Sequence, residues 1–216
     1  MAGTPPPLHP ALEPIAFMLG RWRGEGEGGY PTINSFRYIE EITLTHAGKP
    51  AMAYAQKTWR AESGEPMHAE SGFWRPKPDG TLEIVIAQST GLAEVQKGRY
   101  DAEAKTIAVE SELVGNATKY FLAFLAPLSF PIPVLHPVDL TSPLHVCYAH
   151  DPLHYHALSC LLIPCLPSCA CHGGQVRRIV RHFRLEGEGT LAYTVDMETT
   201  SQPMQKHLDA RLKRLD

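Results

Sequence analysis

All five cysteines of this 216-residue chain fall between Cys147 and Cys171, and none stands elsewhere. A secreted disulfide scaffold would spread them through the fold, so their placement speaks for a cytoplasmic protein. A basic excess is also missing. The formal net charge is −3 and the pI about 6.4, which argues against nucleic acid or an anionic membrane surface as partner. The N-terminal Met1-Ala-Gly-Thr-Pro-Pro-Pro7 has no basic stretch followed by an apolar one, and hence no secretory signal. No apolar run reaches the roughly 18 to 20 residues that a membrane-spanning helix needs. The longest starts at Tyr120 and is interrupted by Pro127, Pro131 and Pro133. No Ser-His-Asp order or phosphate loop stands out either, and Gly24-Glu-Gly26-Glu-Gly-Gly29 resembles a dinucleotide fingerprint only superficially, because no βαβ unit surrounds it. Glu40 and Glu41, adjacent on one strand, point to opposite faces and make a poor acid–base pair.

Lysine and arginine are absent between Lys119 and Arg177, where Asp139 and Asp151 are the only acids. Proline, histidine, leucine and cysteine dominate there. Residues 120–175 therefore read as an insertion into a domain that otherwise runs over residues 11–216, preceded by a Pro-rich leader over 1–10 expected to be disordered. Within the insertion, His154, His156, Cys160, Cys165, Cys169, Cys171 and His172 invite a zinc reading, but the spacing C-x4-C-x3-C-x-C matches no common structural zinc pattern.

What the remainder does contain is period-2 alternation. Leu82, Ile84, Ile86 and Gln88 share one face of a strand; Ile107, Val109, Ser111 and Leu113 share another; Leu191, Tyr193, Val195 and Met197 a third. Similar short strands fit residues 20–27, 35–45, 51–60, 67–75, 91–100 and 176–186, with turn signals at Gly48-Lys-Pro50, Pro78-Asp-Gly80 and Gly187-Glu-Gly189. Strands so short and regular predict an all-β meander of about ten antiparallel strands, closed into a lipocalin-like or fatty-acid-binding-protein-like barrel that leaves no edge exposed. Two segments read as helical. Leu12–Met18 suits a short plug before the first strand. A C-terminal helix is expected from Ser201 as N-cap, Pro203 in the first turn and an apolar stripe of Met204, Leu208, Leu212 and Leu215. Gly20, Gly24 and Gly26 share a strand face with Trp22. Lacking side chains, they admit another segment or a flat ligand, or they simply close the barrel's end.

Gly20-Arg-Trp22-Arg-Gly24-Glu-Gly26 followed by Tyr30-Pro-Thr-Ile33 resembles the signature of the nitrobindin family, the haem-binding barrels also found as the C-terminal domain of THAP-domain-containing nitrobindins. Further stretches resemble it in order: Phe36–Ile42, Pro66–Phe73, Ala87–Leu92, Gly115–Lys119, Met197–Thr200 and His207–Leu212. The resemblance covers about residues 11–119 and 176–216 and departs from the family over the insertion. It implies one haem b per chain with ferric iron, reaction with nitric oxide, and isomerisation of peroxynitrite to nitrate. It also implies that His207 is the axial iron ligand and the catalytic residue, and that Thr32, Met67, His68, Gln88, Lys119 and Met197 are pocket or haem-edge positions.

Taken alone, each residue has a plainer reading. His207 is then a surface helix histidine, His68 a hydrogen-bonded barrel histidine, Lys119 a solvated surface residue, and Met67, Gln88 and Met197 ordinary core. The partners expected are small molecules, with neither nucleic acid nor membrane, and a homodimer is left open. The rival functions are a non-enzymatic carrier of a fatty acid or other apolar ligand, and an isoform inactivated by the insertion.

Overall fold

The computed structural model describes residues 6–116, 175–187 and 189–215. A 3-10 helix over Pro10–Met18 precedes ten strands: β1 (Gly20–Tyr30), β2 (Ile33–His46), β3 (Met52–Arg60), β4 (Pro66–Pro76), β5 (Thr81–Gln88), β6 (Leu92–Asp101), β7 (Thr106–Asn116), β8 (Val176–Glu186), β9 (Thr190–Thr199) and β10 (Gln205–Arg214). Each pairs antiparallel with its sequence neighbour, and β1 pairs with β10, so the sheet closes into a barrel. β7 and β8, which flank the insertion, pair directly from Thr106↔Arg184 to Glu110↔Val180.

The alternation read from the sequence becomes inside and outside. Leu82, Ile84 and Ile86 are buried, as are Ile107 and Val109, and Leu191, Tyr193 and Val195. Leu113 departs from it. The β6–β7 register shifts between Val95 and Gln96, so Leu113 pairs with Val95 while Ser111 pairs with Gln96. The extra residue turns Leu113 out of the barrel, where it is 59% exposed.

The C-terminal segment is a strand, not the expected helix. A stripe at 204, 208 and 212 has a spacing of four, which satisfies a period of 2 as well as one of 3.6. Ala210, also buried, lies on the strand's inner face with Leu212, while Arg211 and Lys213 point out. A strand here bonds to both β1 and β9; a helix would leave both of those edges unpaired.

The N-terminal plug is present as expected. Leu12, Ile15 and Met18 are fully buried under one end of the barrel. Trp22 donates its indole N–H to the Met18 carbonyl at 2.9 Å, and the Arg214 guanidinium stacks on the Trp22 ring at 4.1 Å. Described backbone begins at Pro6, and Leu8 packs against the core, so order extends into the stretch expected to be a leader. Gly26 makes room for a side chain and not for a ligand: a Cβ there would lie 2.3 Å from the Tyr38 ring. No helix of the described residues is long and apolar enough to cross a membrane.

Candidate functional site

A cavity of about 390 Å³ opens at the end of the barrel opposite the plug. Its mouth is apolar, with Phe36, Leu92, Val176, Val195, Met197 and Leu208; its floor is polar, with Tyr38, Tyr54, Gln56, Glu70, Arg181 and Tyr193. Asn116 and Gln175, where the described chain stops and resumes, stand at the mouth end of β7 and β8.

His207 sits in an irregularity of the barrel wall. Lys206 pairs with Asp196 and Leu208 with Val195, which leaves His207 as the extra residue of a β-bulge. The bulge lets His207 and Leu208, consecutive in sequence, both line the pocket. On the facing strand the β1–β2 register shifts between Gly28 and Tyr30. The Gly29 carbonyl there lies 3.1 Å from His207 Nδ1. A carbonyl only accepts, so Nδ1 carries the hydrogen and Nε2 keeps its lone pair. Tyr30 holds the ring edge-on at 5.6 Å and is itself fixed by donating its hydroxyl to the Met197 carbonyl at 3.0 Å. Burial pushes the imidazole pKa below its ordinary value, and nearby His68 adds to the fall; the Gly29 hydrogen bond opposes both without reversing them. The outcome is a neutral, oriented imidazole facing an apolar mouth, the form that binds a metal.

Met67, His68, Gln88 and Met197 line the same cavity as His207. His68 Nε2 lies 3.3 Å from Glu70 Oε2, and its backbone N–H donates to Thr58 Oγ1 at 3.0 Å. Gln88 donates to Glu94 Oε1 at 2.5 Å. Thr32 is exposed in the β1–β2 turn and does not line the cavity. Lys119, the His/Cys-rich stretch from His154 to His172, and the insertion as far as residue 174 lie outside the described residues.

Beneath the mouth is a polar network that the sequence reading did not assemble. Arg181 is buried and bidentate to Glu94, at 2.9 Å and 3.0 Å, and also reaches Glu70 at 3.4 Å. Burial alone would raise the Glu70 pKa, but Arg181 and hydrogen bonds from His68 and Tyr54 hold it below the ordinary carboxylate value. Glu40, fully buried, accepts the Tyr193 hydroxyl, while Glu41 next to it faces outward to Arg21 and Arg23. The opposite-face reading of the Glu40–Glu41 pair holds, yet it hid the importance of Glu40. The available signal was phase: Glu40 alternates with Tyr38 and Ile42, and Arg181 with Ile179 and Phe183, all inward.

Fold and site together define a closed ten-stranded antiparallel barrel that presents one neutral histidine at an apolar mouth above a charged floor in which Arg181 is shared by two carboxylates. The model of the THAP4-like, heme-binding beta-barrel domain matches residues 11–121 and 168–214, and the chain belongs to that family, the nitrobindins. "Peroxynitrite isomerase Rv2717c" of Arabidopsis thaliana is 43% identical over 213 residues, covering 99% of this chain and 94% of that protein. "Peroxynitrite isomerase THAP4" of Homo sapiens is 31% identical over 214 residues, 98% of this chain but 28% of the human protein. Among solved structures, Rv2717c from M. tuberculosis superposes with a TM-score of 0.67 at 27% identity, covering 97% of this chain and all of that one.

Proposed function

We propose that this barrel holds one haem b, ferric at rest, whose iron His207 would ligate through Nε2, and that it converts peroxynitrite to nitrate. The observation that carries this reading is the His207–Gly29 contact. It fixes the tautomer that leaves Nε2 unprotonated, on a bulge that aims the ring at an apolar cavity. Met197, Val195, Leu208 and Phe36 supply the dry wall a porphyrin face needs, and the family is one of haem-binding barrels. When bound, haem would supply an iron centre for the isomerisation; no atoms are gained or lost, since nitrate is the isomer of peroxynitrite. The protein's own share is to ligate through His207, exclude bulk water and keep Met67, His68 and Gln88 at the pocket wall. Nitric oxide is a second small ligand for the same site. A cytoplasmic location completes the reading.

The rival carrier of fatty acids is disfavoured by the floor. A barrel that binds a carboxylate keeps an arginine or tyrosine available for it, whereas Arg181 here is saturated by Glu94 and Glu70. A further carboxylate would enter beside two others. The inactivated isoform is disfavoured by the closed barrel, in which β7 and β8 pair from Thr106↔Arg184 to Glu110↔Val180.

The test is the absorption spectrum of haem-loaded protein. A ferric Soret band is expected in the wild type, and its loss or strong weakening in His207→Ala. Equal spectra and equal haem affinity in the two would refute the ligand assignment. Peroxynitrite decay measured with and without haem then separates catalysis from sacrificial scavenging.

A further inference from the structure

The Tyr54 hydroxyl lies 2.7 Å from two acceptors at once, Gln56 Oε1 and Glu70 Oε1. A phenol carries one hydrogen and donates to only one of them. In that arrangement the other contact presses two oxygens together with no hydrogen between them. Glu70 does not supply the missing hydrogen, because Arg181 at 3.4 Å and His68 at 3.3 Å stabilise its ionised form. The far end of the same amide, Gln56 Nε2, faces Glu40 Oε1, and Glu40 Oε2 takes the Tyr193 hydroxyl at 2.6 Å. Amide oxygen and nitrogen are distinguished only by networks such as this one.

We infer that Glu40 is a protonated carboxylic acid in the folded protein, that the Gln56 amide is turned over to accept its hydrogen, and that Glu40 thereby acts as a positioning residue for His68 at the pocket mouth. The chain of donors then runs in one direction. Glu40 Oε1–H donates to the Gln56 oxygen, the Gln56 NH2 donates to the Tyr54 oxygen, and the Tyr54 hydroxyl donates to Glu70 Oε1. The second oxygen of Glu70 receives the His68 Nε2 hydrogen. Every short contact from Glu40 to Glu70 now holds one hydrogen. Behind Glu40, Tyr193 donates to Oε2, and Tyr38, 3.4 Å from the Tyr193 hydroxyl, donates to that oxygen.

The groups around Glu40 leave its charge without a counterion. Tyr38 stands on its own strand, Gln56 and Tyr54 on β3, Glu70 on β4, Arg181 on β8 and Tyr193 on β9; β1 places Gly24 opposite it. Arg181 is the one cation among these, and it is taken by Glu94 and Glu70. Burial accordingly raises the Glu40 pKa to about 8. Loss of the proton reverses the chain. A carboxylate at Glu40 requires the amide NH2, which brings the Gln56 oxygen to Tyr54 and draws the Tyr54 hydrogen away from Glu70. Glu70 then loses one of its donors, and the histidine it anchors is held differently. This device follows from the apoprotein's own contacts and does not depend on the haem reading.

The test uses the full chain without added ligand. Infrared difference spectra between mildly acidic and alkaline pH should show a protonated carboxyl band that disappears with a midpoint near pH 8. The band should be missing from Glu40→Gln, whose amide N–H replaces the acid O–H. In NMR titrations the His68 ring resonances should inflect at the same midpoint, and lose that inflection in Glu40→Gln. Tyr54→Phe, which cuts the chain and leaves Glu40 in place, should keep the infrared band and lose the inflection. Absence of the band, or its persistence in Glu40→Gln, overturns the protonated acid. A His68 inflection that survives Tyr54→Phe overturns the positioning role. Should Glu40→Gln not fold, Glu40→Asp decides the assignment by whether it shifts the band.

Discussion

His207 and Gly29 meet where two strands each break register: the bulge on β10 turns the imidazole inward, and the irregular step on β1 brings the Gly29 carbonyl to 3.1 Å from Nδ1. Neither irregularity alone would orient the ring. Gly28 is part of the same seat, because a Cβ on it would lie 2.5 Å from the Phe36 ring and 2.7 Å from a Leu208 methyl. Gly28→Ala should therefore overpack the mouth at a cost of about 1–3 kcal/mol in stability. It should also lower haem affinity, because Phe36 and Leu208 both line the pocket. Thermal melts and haem titration check the two effects separately.

Arg181 is shared by two buried carboxylates, Glu70 and Glu94. Arg181→Met should cost about 3–5 kcal/mol, mostly through the charges it leaves uncompensated. Lys97→Met, which breaks an exposed pair with Glu112, should leave the denaturation midpoint nearly unchanged. If the two variants melt alike, the interior network is energetically idle.

Glu40 gives stability an alkaline limit. Its folded pKa of about 8 lies above the ordinary 4.5. Its contribution is therefore fully present below about 4.5 and is lost as pH rises through about 8, at up to about 1.4 kcal/mol per pH unit between the two values. Glu70 works in the opposite direction: its pKa is lowered, so its contribution is present above the ordinary carboxylate value and is lost as pH falls. Denaturation midpoints measured across the range should fall toward alkaline pH in the wild type and fall less in Glu40→Gln.

Much of the fold was legible in the chain because a half-buried strand writes its geometry as alternation. The nine strands read from period 2 and the barrel closure follow from that pattern and from turn chemistry, and the N-terminal plug from a short helical segment before the first strand. The last strand was misread for a physical reason. Apolar residues four apart satisfy helix and strand alike, and the deciding condition, two barrel edges in need of a partner, is tertiary. Leu113 was misplaced because a bulge reverses phase without a local signature. At the site, Met67, His68, Gln88, Met197 and His207 came together as the family pattern implied, while Thr32 stayed outside the cavity. The charged floor escaped notice because Glu40, Glu70, Glu94 and Arg181 come from four different strands, and charged residues on inward phase were read strand by strand.

Joining Lys119 directly to Val176 should preserve the barrel. β7 and β8 are antiparallel neighbours paired from Thr106↔Arg184 to Glu110↔Val180, so the shortened chain would connect two strands that already lie side by side. Haem binding should be retained and solubility raised, since the excised segment is apolar and nearly free of charge. Loss of the fold on deletion would show that those residues contribute to the core.

Pairing of β1 with β10 sets Trp22 beside Arg214, residues from opposite ends of the chain. Until β10 is in place, a sheet of β1 through β9 would have an unpaired edge at each side. Closure is accordingly a long-range event, slow because loop-closure entropy is lost before the contact rewards it, and until it is complete both edges are open to edge-to-edge association.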